Sequence, residues 1–308
     1  MKTITIARSV RLIQAALAVL MKNKELLVFP ILTVVLMSSI ALVFAAPVVL
    51  QHTGFSLASH EHWKSIWNSI MVETSPKHYG PTGWFSIYTM VLYYVAMVLT
   101  TGINVAFYHE IMSGFNGGDV SLERGLKFAI SRWQAILLWA LFAGLVGIII
   151  RAIQEKFGIV GRIITGFIGI VWSAACAFII PTLVCDTKTS NPITLLKGSA
   201  GTLRRAWGEL VIGFVGIEVV FSFIALVGLL LGGAACLVLS FGVHSINSFW
   251  CMGMIAVSWV ALLMVLVVVG SVVNPLYRCA LYIYATEGVV PGPFNKELLD
   301  TAWKVKKH

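Results

Sequence analysis

Apolar residues fill six long stretches of the sequence, and short polar or glycine-rich segments separate these stretches. Each stretch is long enough to cross about 30 Å of hydrocarbon at ~1.5 Å per residue. Because lipid cannot hydrogen-bond the backbone, stretches of this length are predicted to be helices. The six predicted spans are residues 26–50, 84–107, 133–150, 160–185, 210–231 and 249–273.

A basic amphipathic segment leading directly into an apolar span recurs three times, beginning near Arg8, Arg124 and Lys197. In each copy the apolar residues repeat with the helical period, and the basic residues fall largely on the opposite face. Such helices are expected to lie along the membrane surface, with their basic side chains near lipid phosphates. The apolar stripes of the second and third copies are Leu122, Leu126, Ala129 and Trp133, and Leu196, Ala200, Leu203 and Trp207.

These patterns predict an all-α integral membrane protein with six transmembrane helices arranged as three hairpins, each preceded by a basic amphipathic interfacial helix. The chain is predicted to form a single membrane domain, 1–308, with possible repeat units at 5–113, 119–188 and 191–288. Residues 289–308 are predicted to be a cytoplasmic tail. Whether the three-unit repeat is genuine stays open, because a helical period matches at some offset by chance. The outer connection, 51–83, has room for a short surface helix.

The composition is typical of a membrane protein. Hydrophobic residues make up 58% of the 308-residue chain and charged residues only 11%, whereas soluble domains carry about 25% charge. The five cysteines show no CxxC spacing. They are therefore interpreted as small buried apolar residues rather than as a metal or redox site.

Lys and Arg residues are distributed unevenly about the predicted spans. Of the 22, only Lys64, Lys77, Arg151, Lys156 and Arg162 fall on one side. The positive-inside rule therefore predicts a multi-pass protein of the cytoplasmic (inner) membrane with both termini in the cytoplasm. The net charge of +9 indicates anionic membrane lipids as partners rather than nucleic acid, because the charges lie at span ends and not in one cluster. Candidate headgroup contacts are Arg8, Arg11, Arg124, Lys127, Lys197, Arg204 and Arg205.

Glu218 is the strongest candidate for a functional residue inside a predicted span. It lies nine residues beyond Glu209, hence roughly 13 Å into the layer. A charge at that depth costs ~2.5–3.5 kcal/mol on insertion scales, so the carboxyl group is expected to be protonated, paired or next to a water-filled cavity. Two interpretations stay open: a proton or cation site, or a neutral acid used in packing. Ser222, one helical turn on, is its nearest polar companion in sequence.

Asn104 and Asn274 are two further polar residues within predicted spans, and both lie toward the inner ends of those spans. Two roles are open for them. They either satisfy backbone groups where a helix is broken, as at Pro275, or line a shared cavity.

The sequence contains no motif that identifies a reaction. His109 and Glu110 begin like a zinc-protease helix, but Ser113 occupies the position of the second ligand. No phosphate-binding glycine loop or nucleophile elbow is present in the sequence. The sequence therefore predicts no catalytic residue, no metal site and no cofactor. The histidines of the outer connection fit no zinc spacing and are expected to be solvated. They are His52, His60, His62 and His78.

Two short segments carry a resemblance to known proteins: NKELLVFP at 23–30, after the first basic helix, and LYIYATEG at 281–288, after the last span. On these segments the chain resembles an uncharacterised family of bacterial six-helix integral membrane proteins. Its layout is also similar to the membrane domain attached to some bacterial glycerophosphodiester phosphodiesterases. The resemblance implies the six-helix fold but no active site, since no catalytic phosphodiesterase domain is present.

The favoured function is a non-enzymatic membrane protein that engages anionic lipids or binds a partner, either a second copy of itself or another membrane protein. The alternative is a transporter, channel or lipid-moving protein with Glu218 in its pathway. An intramembrane enzyme is the least favoured class. The substrate and the oligomeric state stay unassigned, because duplicated helical hairpins occur in both transporters and inert scaffolds.

Overall fold

A computed structural model describes residues 2–75, 78–242, 246–292 and 294 of the chain. Within these ranges, the side-chain surroundings are described everywhere except at residues 2–10, 74–75, 78, 155, 158–160, 163, 206–219, 235–242, 246–249 and 251–252. The predicted tail, 289–308, lies largely outside the described residues. At its start, Phe294 is buried and its ring lies 6.1 Å from that of Phe115.

Helices dominate the described chain, at 83% of its residues, which confirms the all-α class. A two-stranded antiparallel hairpin in the outer connection is an addition that the sequence pattern did not predict; it consists of β1 (Met71–Ser75) and β2 (His78–Pro81). A short 3₁₀ turn, Lys24–Leu27, precedes the second helix. The helices are α1 (Lys2–Lys22), α2 (Val28–Val49), α3 (His60–Ile70), α4 (Gly83–Phe115), α5 (Leu122–Ser131), α6 (Trp133–Ala175), α7 (Ile179–Cys185), α8 (Pro192–Gly242) and α9 (Ile246–Glu287).

Five segments of the described chain are long and apolar enough to cross a membrane, and they coincide with five of the six predicted spans. They are Lys24–Val49, Gly83–Phe115, Trp133–Gln154, Ile164–Cys185 and Gly253–Glu287. The remaining predicted span, 210–231, lies partly in residues whose side chains are outside the described set. Its described portion belongs to the shorter apolar helix Val220–Ala234. The chain is therefore a helical membrane protein by length and composition.

The chain reverses direction inside α6. The rings of Trp139 and Trp172 stack with their centroids 6.2 Å apart, whereas a straight helix would separate these residues by about 50 Å. Gly161 lies at the bend, where a Cβ atom would approach the Ile153 carbonyl oxygen to 2.8 Å. Glycine is therefore the residue that allows this close approach.

Helices α8 and α9 run antiparallel and pack along much of their length. Leu262 approaches Gly228, and Phe221 approaches Gly270. The two glycines lie on opposite members of the pair, so each helix provides a small residue for a large side chain of the other.

Burial divides α4 and α9 into two zones. No residue of α4 between Gly83 and Thr100 is buried, and none of α9 between Gly253 and Ser271. Each unburied zone is roughly 27 Å long at ~1.5 Å per residue, close to the ~30 Å thickness of bilayer hydrocarbon. The buried zones meet in a compact region that we call the packed layer. It comprises residues 12–20, 101–112, 129–143, 177–184, 195–203 and 272–282.

The first basic amphipathic helix, α1, packs on protein. Its buried stripe contains Leu12, Ala16 and Val19, and α1 contacts α8 and α9. Protein therefore covers the apolar face of the described part of α1. That face is a part of the packed layer.

The start of α8 also packs inward, on a stripe rotated from the one that hydrophobicity predicts. The buried residues include Leu195, Ser199 and Thr202. The Ser199 hydroxyl accepts a hydrogen bond from the Phe178 amide (3.0 Å) and donates one to the Ala175 carbonyl (2.6 Å). Ser199 thus satisfies backbone groups at the break between α6 and α7, which explains a polar residue in a buried stripe.

Candidate functional site

An ion pair between the buried Glu110 and the partly exposed Arg124 joins α4 to α5. The Glu110 side chain has no exposed surface, and its carboxylate accepts hydrogen bonds from Arg124 Nε at 3.0 Å and Nη2 at 2.6 Å. The Ser121 amide donates to the same carboxylate at 2.7 Å, and His109 Nδ1 lies 3.0 Å from it. We call these four residues the Glu110 cluster.

The local sequence explains how the Glu110 cluster forms. Gly117 has a φ of +80°, a conformation that glycine adopts readily, and it turns the chain after α4. The Ser121 hydroxyl then caps α5 by accepting from the Arg124 amide. The Arg124 guanidinium also donates to the Ser113 hydroxyl and to the Asp119 carbonyl, so it spans this turn.

Gly125 allows α5 to lie against α4 at this point. A Cβ atom there would stand 2.9 Å from the Ala106 carbonyl oxygen and 2.9 Å from Glu110 Cγ. The hydrogen bonds to Glu110 raise the pKa of Arg124. Because donors surround the carboxylate on several sides, it is suited to holding the two helices together rather than to accepting a proton from a substrate.

A buried cation, Arg132, secures the other end of the packed layer. Its side chain is buried, and Nη2 donates to the carbonyls of Asp186 and Thr189, each at 2.8 Å. Nη1 donates to the Thr187 carbonyl. Arg132 therefore holds the turn that follows α7, where backbone carbonyls have no helical partner.

A cavity of about 410 Å³ lies between α4, α7 and α9, within the ~300–1,000 Å³ range of small-molecule sites. We call it the polar cavity. Asn104 and Tyr108 line it from α4, and Ser271, Asn274 and Arg278 line it from α9. Arg278 hydrogen-bonds the Tyr108 hydroxyl. Since guanidinium, amide and hydroxyl groups all donate hydrogen bonds, this lining favours an anionic or strongly hydrogen-bond-accepting group.

A second cavity, of about 330 Å³, adjoins the first and runs between α8 and α9. We call it the apolar groove. Phe221, Ala225, Leu263 and Leu266 make most of its wall, and Ser222 adds a hydroxyl. Both cavities share residues Val267, Gly270 and Asn274. The two spaces therefore lie next to each other along this part of α9.

The structure thus brings together three of the four polar candidates from the predicted spans. Asn104 and Asn274 line the polar cavity, while Ser222 and Asn274 line the apolar groove. The Glu218 side chain lies outside the described residues; its backbone belongs to α8, one turn before Ser222. Tyr108 and Arg278 are cavity residues that the sequence interpretation missed. The available signal was their spacing, because each lies four residues beyond an asparagine of the same helix.

The basic candidates for headgroup contact fall into two groups. Arg11, Lys197, Arg204 and Arg205 are exposed, and Lys127 is exposed while paired with Glu123 at 2.6 Å. Arg124 differs, because its guanidinium is bound to Glu110. The side chain of Arg8 lies outside the described residues.

The outer histidines are not all solvated, contrary to expectation. His62 is buried; its Nδ1 lies 2.6 Å from the Thr53 hydroxyl and its Nε2 lies 3.0 Å from the Val49 carbonyl. With both nitrogens engaged, this ring anchors α3 to the end of α2. Among the described residues, no group of three or more His, Cys, Asp or Glu side chains is placed to hold a metal ion.

Comparison with known proteins identifies a family but no activity. Residues 84–292 match DUF6159, a family of unknown function, and the chain belongs to that family. No curated protein and no solved structure matches the chain. The similarity in layout to the membrane domain of glycerophosphodiester phosphodiesterases, like the bacterial origin, stays a prediction.

Proposed function

We propose that this chain, a member of DUF6159, is a non-enzymatic multi-pass protein of the cytoplasmic membrane that engages anionic lipids through its packed layer. Six spans are proposed, forming three hairpins: α2 with α4, the first arm of α6 with the second arm and α7, and α8 with α9. Both termini are placed in the cytoplasm, in accord with the excess of Lys and Arg on that side.

One observation carries the proposal: helices α1 and α8, which contribute to the packed layer, also carry exposed basic side chains, and the unburied apolar zones of α4 and α9 extend from the same layer. Arg11 on α1 and Lys197, Arg204 and Arg205 on α8 are exposed, whereas the neighbouring apolar zones of α4 and α9 match the hydrocarbon thickness. Long basic side chains at such a boundary reach lipid phosphates while their methylene groups stay in the apolar layer.

A triple variant tests the lipid preference. Replacing Lys197, Arg204 and Arg205 with glutamine should lower the preference of the reconstituted protein for phosphatidylglycerol over phosphatidylcholine by about fivefold or more, since each basic residue near an anionic surface contributes ~1 kcal/mol. The preference is measured by quenching of tryptophan fluorescence with brominated lipids of each kind.

The matched control replaces Lys64, Lys156 and Arg162, three exposed basic residues on the proposed outer side. This control should keep at least half of the wild-type preference. An unchanged preference in the first variant, or an equal loss in the control, contradicts the proposal.

A lipid-moving or transport function is the second candidate, because the polar cavity and the apolar groove adjoin each other and share Val267, Gly270 and Asn274. This candidate places Glu218, one turn from Ser222, in the pathway. Its test is lipid translocation and ion flux in proteoliposomes, comparing the wild type with Glu218→Gln. Equal rates in both, or none in either, count against transport through this residue.

A further inference from the structure

The polar cavity and the apolar groove together have the shape and chemistry of a site for an amphiphile. We propose that they bind one anionic phospholipid, with its phosphate beside Arg278 and one acyl chain along the groove between α8 and α9. This site rests on the proposed engagement of lipids, but residues other than the exposed basic side chains form it.

The headgroup end is assigned by the donors that converge on the polar cavity. Arg278 supplies a permanent positive charge, and the side chains of Asn104 and Asn274 supply amide groups from two different helices. A phosphate diester shares one negative charge between two non-bridging oxygens, which a guanidinium binds through charge-assisted hydrogen bonds. The described lining thus favours a phosphate over a neutral sugar or an amine.

The position of the polar cavity along the helices also fits a headgroup. It lies where α4 and α9 change from unburied to buried, at Thr101 and Val272. The unburied zones beyond it are each roughly 27 Å long and so fill the hydrocarbon layer. The cavity therefore lies at the edge of that layer, which is the level of lipid phosphates.

The apolar groove has the length of one leaflet. From Asn274 to Leu263 it rises roughly 16 Å along α9 at ~1.5 Å per residue, about half of the ~30 Å hydrocarbon thickness. Phe221 and Leu266 present apolar surface along this path. A straight acyl chain that begins at the polar cavity would therefore end within the same leaflet as its phosphate.

Gly270 lies at the junction and offers a way to block it. It lines both cavities, and a Cβ atom there would meet only the Phe221 ring, at 3.7 Å, an ordinary contact. Alanine therefore fits at this position. A leucine side chain extends further, so Gly270→Leu should fill the passage from headgroup to chain without changing the charge of the site.

The experiment is a titration of the purified full-length chain in detergent with phosphatidylglycerol, followed by native mass spectrometry. We expect one saturable lipid per chain. Arg278→Gln should weaken its binding by about tenfold or more, through loss of charge-assisted hydrogen bonds. Gly270→Leu should weaken binding as much, whereas Gly270→Ala should stay within about twofold of wild type. Phosphatidylcholine, whose phosphate carries a neutralising choline, should bind at least about tenfold more weakly.

Further measurements separate this site from its alternatives. Glycerol phosphate, which lacks the acyl chains, should not compete at lipid concentrations; competition on equal terms would show an anion site without a chain groove and overturn the proposal. Wild-type affinity in Gly270→Leu would also overturn it, and this variant decides if Arg278→Gln does not fold. The triple variant at Lys197, Arg204 and Arg205 should keep the saturable site. If that variant keeps both the saturable site and the preference for phosphatidylglycerol, the proposed function fails and the site stands; if it loses the saturable site, the site proposal fails.

Discussion

Replacing Glu110 with glutamine should lower the free energy of unfolding by about 2–3 kcal/mol, the cost of disrupting buried hydrogen bonds to a charged group. The carboxylate is fully enclosed and accepts from Arg124 and from the Ser121 amide. Glutamine keeps the side-chain volume but loses the charge. It also turns one oxygen into an NH₂ group, so a donor would face the Arg124 or Ser121 donor.

The matched control is Glu123→Gln on α5. Glu123 also forms an ion pair, with Lys127 at 2.6 Å, but both side chains are exposed, and exposed pairs contribute only ~0.3–0.5 kcal/mol. Thermal unfolding of the detergent-solubilised protein, followed by circular dichroism, should therefore show a large decrease in Tm for Glu110→Gln and almost none for Glu123→Gln. Equal decreases would show that burial of the Glu110 cluster does not govern its contribution.

Replacing Gly125 with leucine should destabilise the protein by about 3 kcal/mol or more, at the upper end of overpacking effects. The first added atom would stand 2.9 Å from the Ala106 carbonyl oxygen, which is backbone and cannot rotate away. Helix α5 must then move off α4, and the hydrogen bonds from Arg124 to Glu110 would lengthen.

Gly201→Leu serves as the comparison, because Gly201 is an exposed helical glycine with nothing within 4 Å of the added Cβ. That substitution should leave stability unchanged or raise it by ~0.5–1 kcal/mol, the difference in helix propensity. The midpoint of chemical unfolding in detergent measures both variants. A Gly125→Leu protein as stable as wild type would mean that α5 does not lie against α4 as described.

The length and composition of the apolar stretches were sufficient to predict five of the six spans, because a membrane-crossing helix needs about 20 consecutive apolar residues. The ends of Trp84–Phe107 and of its structural counterpart Gly83–Phe115 differ because the sequence interpretation ended the span where polar residues begin. Helix α4 continues past His109 and Glu110. The turn after it places Arg124 beside the Glu110 carboxylate, so the charge of Glu110 is paired and does not end the helix. An ion pair between residues 14 positions apart cannot be predicted from a hydrophobic pattern that repeats every 3.6 residues.

The same reasoning explains why the stripes of the basic helices were only partly predictable. Ranking residues by hydrophobicity selects Ala200 in α8, yet Ser199 is the buried residue, because it bonds to the backbone at the break between α6 and α7. Arg132 was counted as one more surface cation, but it binds three carbonyls after α7. In both cases, backbone groups at a helix break or turn elsewhere in the chain need hydrogen-bond partners, and a polar side chain is buried because it provides them.

The sequence left two roles open for Asn104 and Asn274. Their chemistry and depth favoured a structural role over a shared cavity, and only the placement of α4 against α9 puts both on one cavity. A long basic side chain just after a predicted span, such as that of Arg278, is expected to reach toward the membrane surface. The alignment of Arg278 four residues beyond Asn274 directs it to the same cavity instead.

The two-zone burial of α4 and α9 has a mechanical consequence. No side chain of α4 between Gly83 and Thr100, or of α9 between Gly253 and Ser271, is buried, so beyond the packed layer these helices, α9 together with its partner α8, can tilt as the thickness of the surrounding bilayer changes. The packed layer, with its ion pair and capped breaks, keeps its shape meanwhile. The molecule is then a stiff base carrying compliant arms, and we expect a thicker bilayer to straighten the arms while leaving the base unchanged.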